Sequence, residues 1–215
     1  MIITIDGPAA SGKGTLARLL AKELSLAYLD TGGLYRATAL AMLRSGHDLA
    51  DKAAASASAR ALDVGTLSDP QLRAQDTGAA ASKIARYPGV RSALLDFQRR
   101  FAANPPGNAR GAVLDGRDTG SVICPDADVK FYVEASAQER ARRRAAELAA
   151  KGEDADPSHI EAEIIARDTQ DKTRKEAPLV VPPGAAILDT TALTIEEALQ
   201  AALTIVAKAA CKPGS

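Results

Sequence analysis

Gly7-Pro8-Ala9-Ala10-Ser11-Gly12-Lys13-Gly14-Thr15, directly after Met1-Ile2-Ile3-Thr4-Ile5-Asp6, decides the fold. Ile2, Ile3 and Ile5 read as a buried parallel strand, and Leu16, Leu19, Leu20 and Leu24 recur at helical spacing behind the turn. Strand, Gly-rich turn and helix N-terminus together aim backbone N–H groups at an anion. Gly7 and Gly12 permit positive φ and close approach of the backbone to phosphate. Lys13 adds a point charge for outer phosphates, and a nearby hydroxyl can serve Mg²⁺. The usual pattern has Ser or Thr right after the Lys; here Gly14 intervenes and the hydroxyl is that of Thr15. The bland alternative is a Gly-rich strand–helix turn with a surface Lys.

Outward from this loop, short apolar runs alternate with amphipathic stretches. Strands are expected at Ile2–Asp6, Ala27–Asp30, Ala112–Asp115, Val129–Val133 and Ala186–Asp189. Helices are expected at roughly 13–25, 33–45, 78–86, 89–103, 136–150, 157–168 and 194–209. Buried strands separated by helices imply an α/β fold of the phosphate-loop NTPase type, a parallel sheet with helices on both faces. Residues 50–75 are rich in Ala and Ser, and the run Ala53–Ala61 reads equally as a helix or a linker.

A chain of 215 residues is expected to form one domain with small insertions. With 27 basic and 27 acidic residues there is no global field for nucleic acid or an anionic membrane. Trp is absent and aromatics make up 3%, which argues against stacking platforms for single strands. Cys124 and Cys211 stand far apart, without disulfide or zinc spacing, which suits a reducing compartment. The first strand begins at residue 2 and no apolar run reaches spanning length, so neither signal peptide nor membrane segment is expected. The expectation is a cytoplasmic monomer with small-molecule partners and no nucleic acid or membrane partner. His47 and His159 are isolated and read as surface residues.

Three further segments carry chemistry. Asp30 and Thr31, followed by Arg36 one helical turn on, end the second strand and face the crevice where ligands bind in open α/β sheets; both are also common helix caps. Asp115-Gly116-Arg117-Asp118-Thr119-Gly120 ends the third, and Asp115 there matches the acidic element that holds Mg²⁺ directly or through water. Arg117 beside Asp118 could instead form an internal ion pair. Arg167, Asp171 and Arg174 are spaced to share one helical face, either as a solvated ion-pair helix or as a lid closing on a transferring phosphoryl group. Of Arg140, Arg142, Arg143 and Arg144, not all can face one site.

The ordered set of motifs resembles the bacterial cytidylate kinases, which move the γ-phosphoryl of ATP onto CMP or dCMP. The residues are Ile5–Thr15, Leu29–Arg36, Ser82 with Tyr87–Arg91, Asp115–Gly120, Pro125–Lys130, and Arg167 to Arg174 before Ala177-Pro178-Leu179. The resemblance implies a core of residues 1–50 and 83–215, a monophosphate-binding insert of about 51–82 and a short lid of about 151–178. It implies ATP on Gly7, Pro8, Ala9, Ala10, Ser11, Gly12, Lys13, Gly14 and Thr15, with Mg²⁺ at Thr15 and Asp115. Thr31, Ser82, Arg91 and Asp118 would surround the cytosine with Arg174 nearby, and Asp171 would contact the sugar. Asp30 would belong to the same substrate crevice. Arg36, Arg73 and Arg117 would hold the monophosphate, while Lys13, Arg117, Arg167 and Arg174 would act on the transferring group. Thr31 stands where Ser is frequent. The segment from Asp63 to Ser82 is shorter than in longer family members, so a reduced insert of helix and loop is expected. UMP or AMP specificity, and a slowly hydrolysing nucleotide switch, are the alternatives. Without an anion the arginines of the lid would repel one another, so an open or mobile lid is expected.

Overall fold

The computed structural model describes residues 1–150, 152 and 156–210; Cys211 and part of the loop before Pro157 lie outside these residues. Five strands form one parallel sheet: β1 (Ile2–Asp6), β2 (Ala27–Asp30), β3 (Ala112–Gly116), β4 (Val129–Glu134) and β5 (Ala186–Asp189), in the order β2-β3-β1-β4-β5. Around it lie α1 (Lys13–Glu23), α2 (Thr31–Arg44), α3 (Lys52–Arg60), α4 (Gln75–Ile84), α5 (Pro88–Ala103), α6 (Ala137–Ala149), α7 (Pro157–Thr173) and α8 (Ile195–Ala210).

Alternation along the strands divides the core. Ile3, Ile5, Val113, Phe131 and Val133 face α1 and α8, packing on Leu16, Leu20, Ala202 and Val206. Ala112, Leu114 and Leu29 face the other way, onto Leu34, Met42, Ile84, Val90 and Leu94 of α2, α4 and α5. Both faces are covered, which is why the strands read as apolar runs. The central strand β1 pairs with β3 on one side and β4 on the other, so its C-terminal end opens at the reversal of strand order, where α/β sheets bind ligands.

All five expected strands are present, and the helices differ mainly at their ends. The Ala-rich run is a helix, α3, whose first turn is capped by Asp51 accepting from the amides of Ala53 and Ala54. α7 extends five residues beyond the expected 168, because Ile160 and Ile164 dock its N-terminal half on α6 while Asp171 pairs with the core farther along. Arg174 therefore lies just past the helix in extended conformation (φ −62°, ψ 142°), not on a shared helical face with Arg167 and Asp171. Between α3 and α4 the chain makes two 3₁₀ turns, Val64–Ser68 and Pro70–Arg73, and no strand. No helix among the described residues is long and apolar enough to cross a membrane.

Candidate active site

Gly12 adopts φ 83° and hands the chain to α1, whose first turn has no side-chain cap, leaving its N–H groups for an anion. A Cβ at Gly7 would lie 2.0 Å from the carbonyl oxygen of Val133, so only glycine lets the loop leave β1 beside β4. Lys13 Nζ folds back to 3.5 Å from the Pro8 carbonyl and 3.7 Å from Asp115 Oδ1. Burial, reinforced by the positive charge of Arg117, lowers its pKa to about 8 against the pull of Asp115. Burial likewise raises the Asp115 carboxyl, opposed by Lys13. The departure at position 14 also has a local reason: a Cβ there would stand 2.9 Å from Asp115 Oδ2. Tyr28 donates to that same oxygen at 3.4 Å, and Arg18 donates to Thr15 Oγ1 at 3.4 Å.

The turn after β3 is tied to the end of β1. Asp6 accepts from Thr119 N (2.8 Å), Thr119 Oγ1 (2.9 Å) and Gly120 N (2.8 Å). There the chain makes a wide helical turn, with Cys124 N donating to Thr119 O at 2.7 Å. Arg117 and Asp118 project from this turn but do not pair with each other, contrary to the internal ion pair allowed by their adjacency. Arg117 Nε donates to Asp171 Oδ2 at 2.9 Å, whereas Asp118 pairs with Arg91 and lies 3.5 Å from Arg174. Burial works against the Arg117 charge, but Asp171 outweighs it and the net shift is upward; Asp171 in turn is held low by Arg117 in spite of burial. Thr31, buried at the start of α2, donates to the Asp115 carbonyl at 2.8 Å, and Asp30 caps the helix through Gly33 N at 3.0 Å. Asp30 is thus a helix cap that also lines the cleft beside α2.

Asp30, Arg36 and Arg73 line a cleft of about 680 Å³ between the start of α2 and the 3₁₀ turns. Arg91 lies with its guanidinium 5.8 Å from the centre of the Tyr35 ring, beside Asp118. Ser82 uses its hydroxyl within α4, donating to Gly78 O, and its carbonyl accepts from Gln170 of α7 at 3.1 Å. Arg167 is buried enough that its pKa falls to about 10, with Arg117 and Arg36 adding to the depression. The repulsion expected among these arginines is met by aspartates: Asp118, Asp168 and Asp171 stand between them, and α7 is docked on the core. Ser11 Oγ, Asp115 Oδ1, Arg167 Nε and Arg174 Nη2 are buried without a hydrogen-bond partner. Such atoms are normally satisfied, and Ser11 and Asp115 stand in and beside the phosphate loop, where a ligand would meet them. Sequence reasoning did not single out Asp6, Tyr28, Tyr35 or Gln170. Only Asp6 carried a signal, as a carboxylate ending a buried strand.

A phosphate loop at the reversal of a parallel sheet, with converging cations, defines a phosphate-loop kinase. A shikimate kinase from Bacteroides thetaiotaomicron shares the fold at 14% identity, with a TM-score of 0.51 over 96% of this chain and 98% of that one. The cytidylate kinase profile matches residues 3–208. A cytidylate kinase of Rhodopseudomonas palustris strain HaA2 is 55% identical over 206 residues, 96% of this chain and 95% of its own. One of Rhodospirillum rubrum is 53% identical over 207 residues, 96% of this chain and 97% of its own. The chain belongs to the cytidylate kinase family.

Proposed function

We propose that this protein transfers the γ-phosphoryl group of ATP to CMP or dCMP, releasing ADP and CDP or dCDP. The observation that carries the reading is the turn after β3, which sets Arg117 toward the phosphate loop and Asp118 toward Arg91 within one buried cluster. A kinase for a nucleoside monophosphate needs a phosphoryl-transfer centre and a base-reading centre side by side, and a nucleotide switch has no use for the second. Asp118 and Arg91 supply an acceptor and a donor fork, which match the amino group and the carbonyl edge of cytosine. Thr31, Ser82 and Arg174 would complete that centre and Asp171 would face the sugar. Arg36, Arg73 and Arg117 would hold the acceptor phosphate.

Gly7 to Thr15 would cradle the triphosphate on backbone amides. Lys13, Arg117, Arg167 and Arg174 would then neutralise charge on the group in flight, and no covalent enzyme intermediate is required. Thr15 and Asp115 fit a Mg²⁺ ion. The Asp115 Oδ1 atom has no hydrogen-bond donor, and Mg²⁺ keeps phosphate and water ligands, so a hydroxyl and one carboxylate suffice. When bound, the ion would offset phosphate charge. We further propose a cytoplasmic monomer acting on small molecules alone.

The test is ADP formation from ATP with CMP, dCMP, UMP, AMP, dTMP or no acceptor. Turnover should be greatest with CMP and dCMP. Preference for UMP or AMP would reassign the base, and equal ADP formation without an acceptor would favour a hydrolytic switch.

A further inference from the structure

Arg140, in the first turn of α6, is only 5% exposed, a depth at which a guanidinium is seldom found. Its three hydrogen-bonding nitrogens serve three parts of the chain. Nε donates to the Ala135 carbonyl at 2.9 Å, at the junction of β4 and α6. Nη1 donates to the Ala9 carbonyl at 3.2 Å, in the phosphate loop. Nη2 donates to Asp168 Oδ2 at 2.6 Å, in α7 and directly after Arg167. The planar fork of arginine reaches all three at once, which the single ammonium of lysine cannot.

A second contact falls at the same place. Ala10 holds φ 59°, a conformation that side-chain-bearing residues avoid. It packs against the apolar cluster that Ala141 and Leu148 of α6 form with Ile160 and Ile164 of α7. The tip of the phosphate loop is thus held by the α6–α7 pair, through a hydrogen bond at Ala9 and apolar packing at Ala10.

We propose that Arg140 is a positioning residue which holds the phosphate-loop backbone and Arg167 in one shared geometry, so that occupation of the loop by ATP and placement of Arg167 are energetically coupled. The nitrogens of Arg140 are taken up by protein acceptors. It ties the loop to α7, and through Asp168 it orients the turn of α7 that carries Arg167. The proposal rests on the reading of Arg167 as a group that acts on the transferring phosphoryl.

Two measurements separate that reading from the coupling. Arg167→Met alone should reduce kcat on the order of 100-fold, as loss of one preorganised electrostatic donor does; a loss of less than about threefold would remove the reading of Arg167. Coupling is read independently by hydrogen exchange across 160–173 with and without a non-hydrolysable ATP analogue. The analogue should slow exchange there in the wild-type protein and should fail to do so in Arg140→Lys and in Asp168→Asn. Equal slowing in the variants, or none in the wild type, overturns the proposal. If Arg140→Lys does not fold, Asp168→Asn decides, since it leaves the bonds to Ala9 and Ala135 in place. In a cycle, Arg167→Met should cost less than about tenfold on the Asp168→Asn background, and an undiminished 100-fold loss would count against coupling.

Discussion

Three donors converge on the carboxylate of Asp6, two amides and the hydroxyl of Thr119, and through them the turn carrying Arg117 and Asp118 is fastened to the strand that precedes the phosphate loop. An amide in its place has one acceptor and a pair of unwanted donors. Asp6→Asn should therefore destabilise the protein by about 1–3 kcal/mol at pH 7, measured by urea unfolding. Burial outweighs the donors and lifts the Asp6 pKa from 3.8 to about 6. The folded protein keeps this proton between about pH 4 and 6 while the unfolded chain has lost it. The group's contribution to stability is thus full below about pH 4 and is lost as pH rises through about 6. The advantage of wild type over Asp6→Asn should be greater at pH 4 than at pH 7, by up to about 3 kcal/mol. An advantage independent of pH would show that Asp6 titrates normally. Lys13 shows the same balance with the opposite charge. Its lowered pKa marks a charged ammonium disfavoured by the fold. Lys13→Ala should leave thermal unfolding unimpaired and cost about 3 kcal/mol or more in transition-state stabilisation. Near-normal turnover in the folded variant would sink the role given to this loop.

Among the described elements, the pair of 3₁₀ turns between α3 and α4 is lightly held. Asp63 and Asp69 cap the two turns through Gly65 N and Gln71 N, and Arg44 of α2 reaches across to Asp69 at 2.7 Å. Leu72 is the one buried residue in the two turns, packing on Ala37 and Leu40 of α2. Truncating it removes the one buried apolar anchor, so Leu72→Ala should release these turns at a cost of about 2–3 kcal/mol. Hydrogen exchange across 61–74 should quicken while β1 and α1 stay protected. KM for CMP should rise through Arg73, with KM for ATP unchanged. Unaltered exchange in 61–74 would mean that something other than Leu72 docks the segment.

Across the whole molecule, α7 is joined to the nucleotide-binding core by charge. Arg117 pairs with Asp171, Arg140 with Asp168 and Arg174 with Asp118, all largely shielded from water. A buried pair adds little over an apolar substitute, but removing one partner strands the other charge. Asp171→Asn should accordingly lower stability by about 3–5 kcal/mol in urea unfolding, because Arg117 keeps its charge without its closest partner. A loss below about 1 kcal/mol would mean that water screens the pair.

The sequence by itself determined the five strands, their parallel sheet, the phosphate loop and the family, because each rests on local pattern. Apolar runs need two covered faces, and Gly7 and Gly12 mark backbone that other residues cannot adopt. It also singled out the two strand ends at which Asp30 and Thr31, and Asp115 and Asp118, stand. What only the tertiary structure decided was which charge answers which. Arg117 is adjacent to Asp118 yet bonds Asp171, 54 residues away, and of four neighbouring arginines on α6 it is Arg140 that is buried against the phosphate loop. Ion pairs carry no periodicity: any arginine can serve any carboxylate, and burial and distance alone select the partner. The same holds for the Ala-rich run Ala53–Ala61, whose small side chains suit helix or linker until Ala55 and Ala59 find α2 and α5 to pack against.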